Sequence, residues 1–165
     1  PCVSLVFPYR PPIPMPSPAT KSSPACACGR LRRATRALTQ LYDDALTPAG
    51  LRLTQFSLLR TLSRVGTTRM TELAATLLLD RTALSRNLDH LAARALVAIT
   101  AGRDARTREV AITAAGKAAL RAAQPHWERA QAEVAKRLGN AKLETLIATL
   151  GEIESLHPAP RPNHD

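Results

Sequence analysis

Aromatic side chains are scarce in this sequence: Phe7, Tyr9, Tyr42, Phe56 and Trp127 are all it holds in 165 residues. Binders of RNA and single strands stack bases on aromatic platforms, so the scarcity argues against that class. Cysteine is scarce too. The three present all fall within the first 28 residues, and an odd, clustered set cannot form a disulfide framework. That usage fits a reducing cytoplasm. No apolar run approaches the length of a membrane span, so no membrane partner is expected. Residues 1–25 lack a basic start followed by an apolar stretch, and prolines interrupt them throughout, so they do not read as a signal peptide. No nucleophile motif or acid pair surrounds any Ser or His, so no enzyme is expected. His90, His126, His157 and His164 are scattered without ligand spacing to Cys26 or Cys28; neither a metal nor another cofactor is expected.

Positive charge, by contrast, is abundant and localised. The formal net charge is +10. Residues 30–120 hold 15 basic and 7 acidic groups, a net +8, whereas residues 121–165 balance to zero. A field of one sign in the middle of the chain suits a polyanion-facing surface. The length is about one domain's worth. Residues 1–25, rich in Pro and Ser, read as a disordered tail.

Past the tail the apolar residues recur at helical spacing. Leu31, Ala34, Leu38, Leu41, Tyr42 and Ala45 predict a helix over about 27–46, ended by Pro48 and Gly50. A second helix is predicted from an N-cap at Thr54 to a stop at Gly66. Thr71 is expected to cap a short third helix and Asp80 a fourth, which runs to about Arg94 with Leu84, Leu88 and Leu91 on one face. The period then switches. Leu96 to Thr100 is strand-like, Gly102 to Arg106 turn-like, and Thr107 to Ile112 alternates, predicting a two-stranded hairpin with a basic tip. Thr113 is expected to cap a long helix kinked at Pro125 and stopped by Gly139. Asn140 is expected to cap a last helix with Leu143, Leu146, Ile147, Leu150 and Ile153 facing inward.

Two short helices, a tight junction at Leu78-Leu79-Asp80 and an arginine-tipped hairpin follow the order of a winged helix-turn-helix. The expected fold class is therefore mainly α with a small β-hairpin wing: a winged helix-turn-helix region over 51–112 and a helical dimerisation region over 26–50 and 113–157. The face of the fourth helix opposite its leucines presents Thr82, Ser85, Arg86 and Asp89. Arginine pairs bidentately with guanine, while Ser and Thr adapt to several base edges. At the tip, Arg103, Arg106 and Arg108 offer guanidinium groups to a narrow minor groove. The alternative for these residues is a solvated helix face beside a charged turn.

These segments resemble the MarR family of bacterial transcriptional regulators. The resemblance covers about residues 26–157 and rests on Leu51 to Leu59, Met70 to Ala74, Leu79 to Leu88, and Asp104 to Thr107. It implies a cytoplasmic homodimer, with first and last helices interdigitated, that represses transcription from a pseudo-palindromic double-stranded DNA operator. It places Arg81, Thr82, Ser85 and Arg86 where the family reads the major groove, makes Arg106 the minor-groove arginine, and has Asp104 orient it or its neighbours. Ala95 stands where relatives commonly carry glycine.

The family's effectors leave two readings open. Phenolic or aromatic molecules often enter a crevice between wing and dimer regions, where Trp127 is a candidate lining residue. Relatives that sense organic hydroperoxides instead carry a reactive cysteine at the position of Cys28, and Tyr42 matches one of two tyrosines that hydrogen-bond it. The second would fall at Leu53. A helix start among arginines favours the thiolate; the other reading of Cys26 and Cys28 is as small residues filling a dimer interface. A rival function is a protein-interaction module that keeps the winged fold without binding DNA.

Overall fold

The apolar spacing that begins at Leu31 lies on one helix, α1 (Ala27–Leu46), which spans 20 residues. A computed structural model of the chain describes residues 26–102 and 107–157. The expected tail, residues 1–25, lies outside them. A 3-10 turn, Thr47–Ala49, follows α1, and Gly50 ends it with φ of 65°, a left-handed conformation that glycine adopts without strain.

Helix α2 (Leu53–Val65) starts one residue before the expected cap at Thr54. Other groups satisfy the amides at its start. The Asp43 carboxylate accepts from the Leu53 N–H at 2.6 Å, and the Gln55 side chain accepts from the Arg52 N–H at 3.1 Å. Helix α3 (Met70–Thr76) likewise begins before Thr71, with Arg69 at its N-cap and Glu72 accepting from the Arg69 N–H at 3.3 Å. Helix α4 (Arg81–Ala93) matches expectation: the Asp80 carboxylate accepts from the Ala83 N–H at 2.8 Å.

The expected two-stranded hairpin has a third strand. In chain order the strands are β1 (Thr68–Arg69), β2 (Val97–Ala101) and β3 (Arg108–Ile112). They form an antiparallel sheet of order β1-β3-β2, with Val110 paired to both Thr68 and Ile99. A two-residue strand is too short to carry an alternation signal, so β1 was not legible as one.

Helix α5 (Ala114–Leu138) is capped by Thr113 as expected and is helical through Pro125. Its first turn lies against the sheet: a Cβ on Gly116 would sit 2.0 Å from the Leu96 carbonyl oxygen. The final helix, α6 (Asn140–Glu154), has Gly139 as its cap in place of Asn140.

One core joins these parts. Leu46, Phe56, Leu59, Leu62, Leu73, Leu84, Leu88, Leu91 and Val110 are buried at its centre, with Ala123 of α5 closing it. The expectation that α6 faces inward is corrected. No residue of α6 is buried, and Leu146, Ile147 and Ile153 are 36%, 56% and 38% exposed. Among the described residues nothing buries that stripe.

Candidate nucleic-acid interface

Helix α4 divides cleanly into two faces. Leu84, Leu88 and Leu91 are fully buried, while Arg81, Thr82, Arg86 and Asp89 are exposed and Ser85 is half-buried. The three leucines fix the helix's rotation, so the polar residues between them face solvent. Its start is fixed by the Asp80 cap and by a tight junction with α3. There the Leu79 N–H donates to the Ala74 carbonyl at 3.0 Å, and Leu78 takes a φ of 51°. A leucine in the left-handed region is strained by about 1–2 kcal/mol.

Beside α4 stands the hairpin of β2 and β3. Below its tip the Gly102 N–H donates to the Thr107 carbonyl at 2.9 Å. Arg108 is exposed at the start of β3. The other predicted tip residues, Arg103, Asp104 and Arg106, lie outside the described residues. The structure thus brings Arg81 and Arg108 to one cleft of about 220 Å³, lined also by Arg69, Met70, Thr71 and Thr107. Arg69 was missed in the sequence. It belongs to β1, and only the pairing of that strand with β3, Arg69 opposite Glu109, brings it to the wing.

The cysteines sit elsewhere. Cys26 is the N-cap of α1 and Cys28 is in its first turn; both are exposed. Cys28 lines an open groove of about 580 Å³ with Leu31, Arg32 and Thr35 on one side and Ile153 and Leu156 on the other. Tyr42 is not its partner within the chain. Fourteen residues at a rise of ~1.5 Å each separate the two by roughly 21 Å along the helix. The Tyr42 hydroxyl instead donates to the Gln131 side chain at 2.5 Å, tying α1 to α5, and burial raises its pKa above the usual tyrosine value. Trp127 packs against the core, stacked on Phe56 at 5.9 Å between ring centroids, with the Arg60 guanidinium 4.4 Å from its ring centroid. Among the described residues no group of three or more His, Cys, Asp or Glu could hold a metal ion, and no helix is long and apolar enough to cross a membrane.

The sequence model of the MarR family matches residues 49–107, which span α2, α3, α4 and β2. Among solved structures, the transcriptional regulator MosR of M. tuberculosis, crystallised in complex with DNA, is 44% identical. That match covers 81% of this chain and 99% of the MosR chain, with a TM-score of 0.70. The chain belongs to the MarR family. Its fold is that family's winged helix, mainly α with a small antiparallel sheet. Two further solved structures have the same fold. A mutant MarR of E. coli complexed with operator DNA is 25% identical over 76% of this chain and 91% of its own, TM-score 0.69. The transcriptional repressor CouR, bound to a 23-mer DNA duplex, is 27% identical over 78% of this chain and 92% of its own, TM-score 0.71. No curated protein sequence matches the chain.

Proposed function

We propose that this MarR-family chain is a homodimeric transcriptional repressor that binds a pseudo-palindromic operator in duplex DNA. The observation that carries the reading is the orientation of α4. Its three buried leucines leave Arg81, Thr82 and Arg86 on an open face beside Arg108 of the wing, with no acidic partner within ion-pairing distance among the described residues. A buried helix face and an uncompensated basic one suit insertion into a major groove. The similarity to MosR, E. coli MarR and CouR, each solved with DNA, supports it. In this reading residues 51–112 form the DNA-binding region and Arg103, Asp104, Arg106 and Arg108 work from the wing. Residues 26–50 and 113–157 form the dimerisation region, where a second chain covers the exposed stripe of α6. Release comes through a small-molecule effector or through oxidation of Cys28, whose groove joins the ends of α1 and α6.

A DNA-binding titration at several salt concentrations tests this. Each phosphate contact contributes about −0.9 to the log–log salt slope, so a dimer should show a slope of several units. Arg106→Ala should weaken binding to all duplexes, and Arg86→Ala should relax discrimination at particular base pairs by about 1–3 kcal/mol. Absence of binding at low salt would refute the assignment. Repeating the titration after an organic hydroperoxide, on wild type and Cys28→Ser, decides the route of release. Equal affinities before and after in both proteins leave the small-molecule effector.

A further inference from the structure

The base-reading role carried over to Arg81 sits poorly with where the structure puts its side chain. Arg81 is the first residue of α4, at the end of its exposed face that meets the wing. It lines the 220 Å³ cleft that runs between β1, the start of α4 and the root of the wing. Arg69 comes to this cleft from β1, Arg81 from α4 and Arg108 from β3. The remaining lining is Met70, Thr71 and Thr107, so among the described residues no carboxylate contributes to its wall. All three arginines are exposed, and none forms an ion pair among the described residues.

Three guanidinium groups converging from three elements repel one another. Such an arrangement suits an anion as its occupant. Glu72 is engaged elsewhere, accepting from the Thr68 hydroxyl at 3.0 Å and the Arg69 N–H at 3.3 Å. Guanidinium forks match the geometry of phosphate oxygens. A base edge in the major groove would have to reach into a recess, whereas a backbone phosphate stands proud of the duplex surface.

We infer that this cleft is the seat of one backbone phosphate of the bound duplex, held jointly by Arg69, Arg81 and Arg108. Arg69 is thereby a further DNA-binding residue, and Arg81 sets the position of α4 in the groove without reading sequence. The inference rests on the DNA-binding reading above and assigns parts within it. Because β1 enters the same sheet as the wing, the phosphate locks helix-turn-helix and wing to one point on the backbone.

The test is a salt titration of the full chain on two duplexes, one of random sequence and one selected from a randomised pool. The variants are Arg69→Ala, Arg69→Lys, Arg81→Ala, Arg108→Ala and Arg69→Ala with Arg108→Ala, with Arg86→Ala for comparison. Each single alanine variant should weaken both duplexes by the same factor, and because one phosphate carries about 0.9 of slope in all, Arg69→Ala with Arg108→Ala should together lose no more than about one unit per half-site. The ratio of affinities for the two duplexes should hold, whereas Arg86→Ala should lower it. Arg69→Lys keeps the charge and should keep the wild-type slope, which checks the claim independently of how the alanine variant folds. The double variant should lose less than the product of the single losses, because its two arginines share one phosphate. An unchanged affinity in Arg69→Ala, a selective loss of the chosen duplex in Arg81→Ala, or a double variant with multiplicative losses or about two units of lost slope per half-site overturns the shared seat. A wild-type chain that binds neither duplex overturns the DNA-binding reading itself.

Discussion

Ala95 holds a φ of 53°, in the left-handed region where a Cβ costs about 1–2 kcal/mol. The sequence marked this position through the missing glycine, and the backbone shows what glycine would supply: the turn from α4 into β2, where the Leu96 N–H returns to the Leu91 carbonyl at 2.9 Å. Ala95→Gly should therefore stabilise the fold. The relieved strain is partly offset by the greater freedom of glycine in the unfolded chain, so the expected gain is about 0.5–1 kcal/mol, read as a rise in the urea midpoint. Tyr42 is a second residue whose environment has a measurable consequence. Its folded pKa lies above the unfolded value of about 10, because burial disfavours the phenolate. The folded state holds the proton more tightly, so this contribution is complete below pH 10 and is lost as the pH climbs through the raised folded value. Alkaline denaturation should start at higher pH in Tyr42→Phe than in wild type, and an identical onset would remove Tyr42 from the account. A tyrosine fourteen positions past Cys28 fits a family pattern, but the partner its hydroxyl finds, Gln131, is 89 residues away in sequence.

At the scale of elements, the helices were legible because their apolar residues repeat every three or four positions over several turns. Helix α4 and its Asp80 cap follow directly from Leu84, Leu88, Leu91 and the acid before them. The starts of α2 and α3 were misread because the residues that satisfy their first amides are not the obvious hydroxyls. Asp43 reaches α2 from another helix, and Glu72 reaches back to Arg69. Neither arrangement has a signature at the Thr54 or Thr71 positions. Strand β1 has no pattern at all, and with it went Arg69. The junction between sheet and α5 is the element-level feature with the sharpest consequence. The Thr113 hydroxyl donates to the Ala95 carbonyl at 2.7 Å, and Gly116 lets the helix backbone close on Leu96. In Gly116→Ala the new methyl would overlap a backbone carbonyl and the Ile112 side chain at 2.8 Å. Neither can retreat without moving β2 or β3. We expect a loss of about 1–3 kcal/mol, seen as a lower melting temperature, and a displaced wing. A variant as stable as wild type would show that the junction is looser than described.

For the molecule as a whole, charge and apolar surface fall in different places. The basic residues of α4, β1 and the wing occupy one region. The exposed apolar residues of α6, with Leu156 79% exposed beyond them, occupy the region around the end of α6 and the start of α1. A stripe of this kind is costly in water, and the proposed pairing of two chains would cover it. The two properties support one account: α1, α5 and α6 pair the chains and thereby set the distance between two copies of α4. In the sequence the dimer came from the family resemblance, and the solvent exposure of Leu146, Ile147 and Ile153 adds a physical argument for it. The basic surface was legible as net charge, but the meeting of Arg69, Arg81 and Arg108 at one cleft needed the sheet pairing.

The most direct measurement is a hydroxyl-radical footprint on a duplex selected from a randomised pool, with the number of bound chains taken from sedimentation of the same complex. The account predicts two chains per duplex and two protected half-sites with centres about one helical turn, roughly 34 Å, apart. One chain on a single protected site, or sedimentation of the free protein as a folded monomer at micromolar concentration, would contradict it.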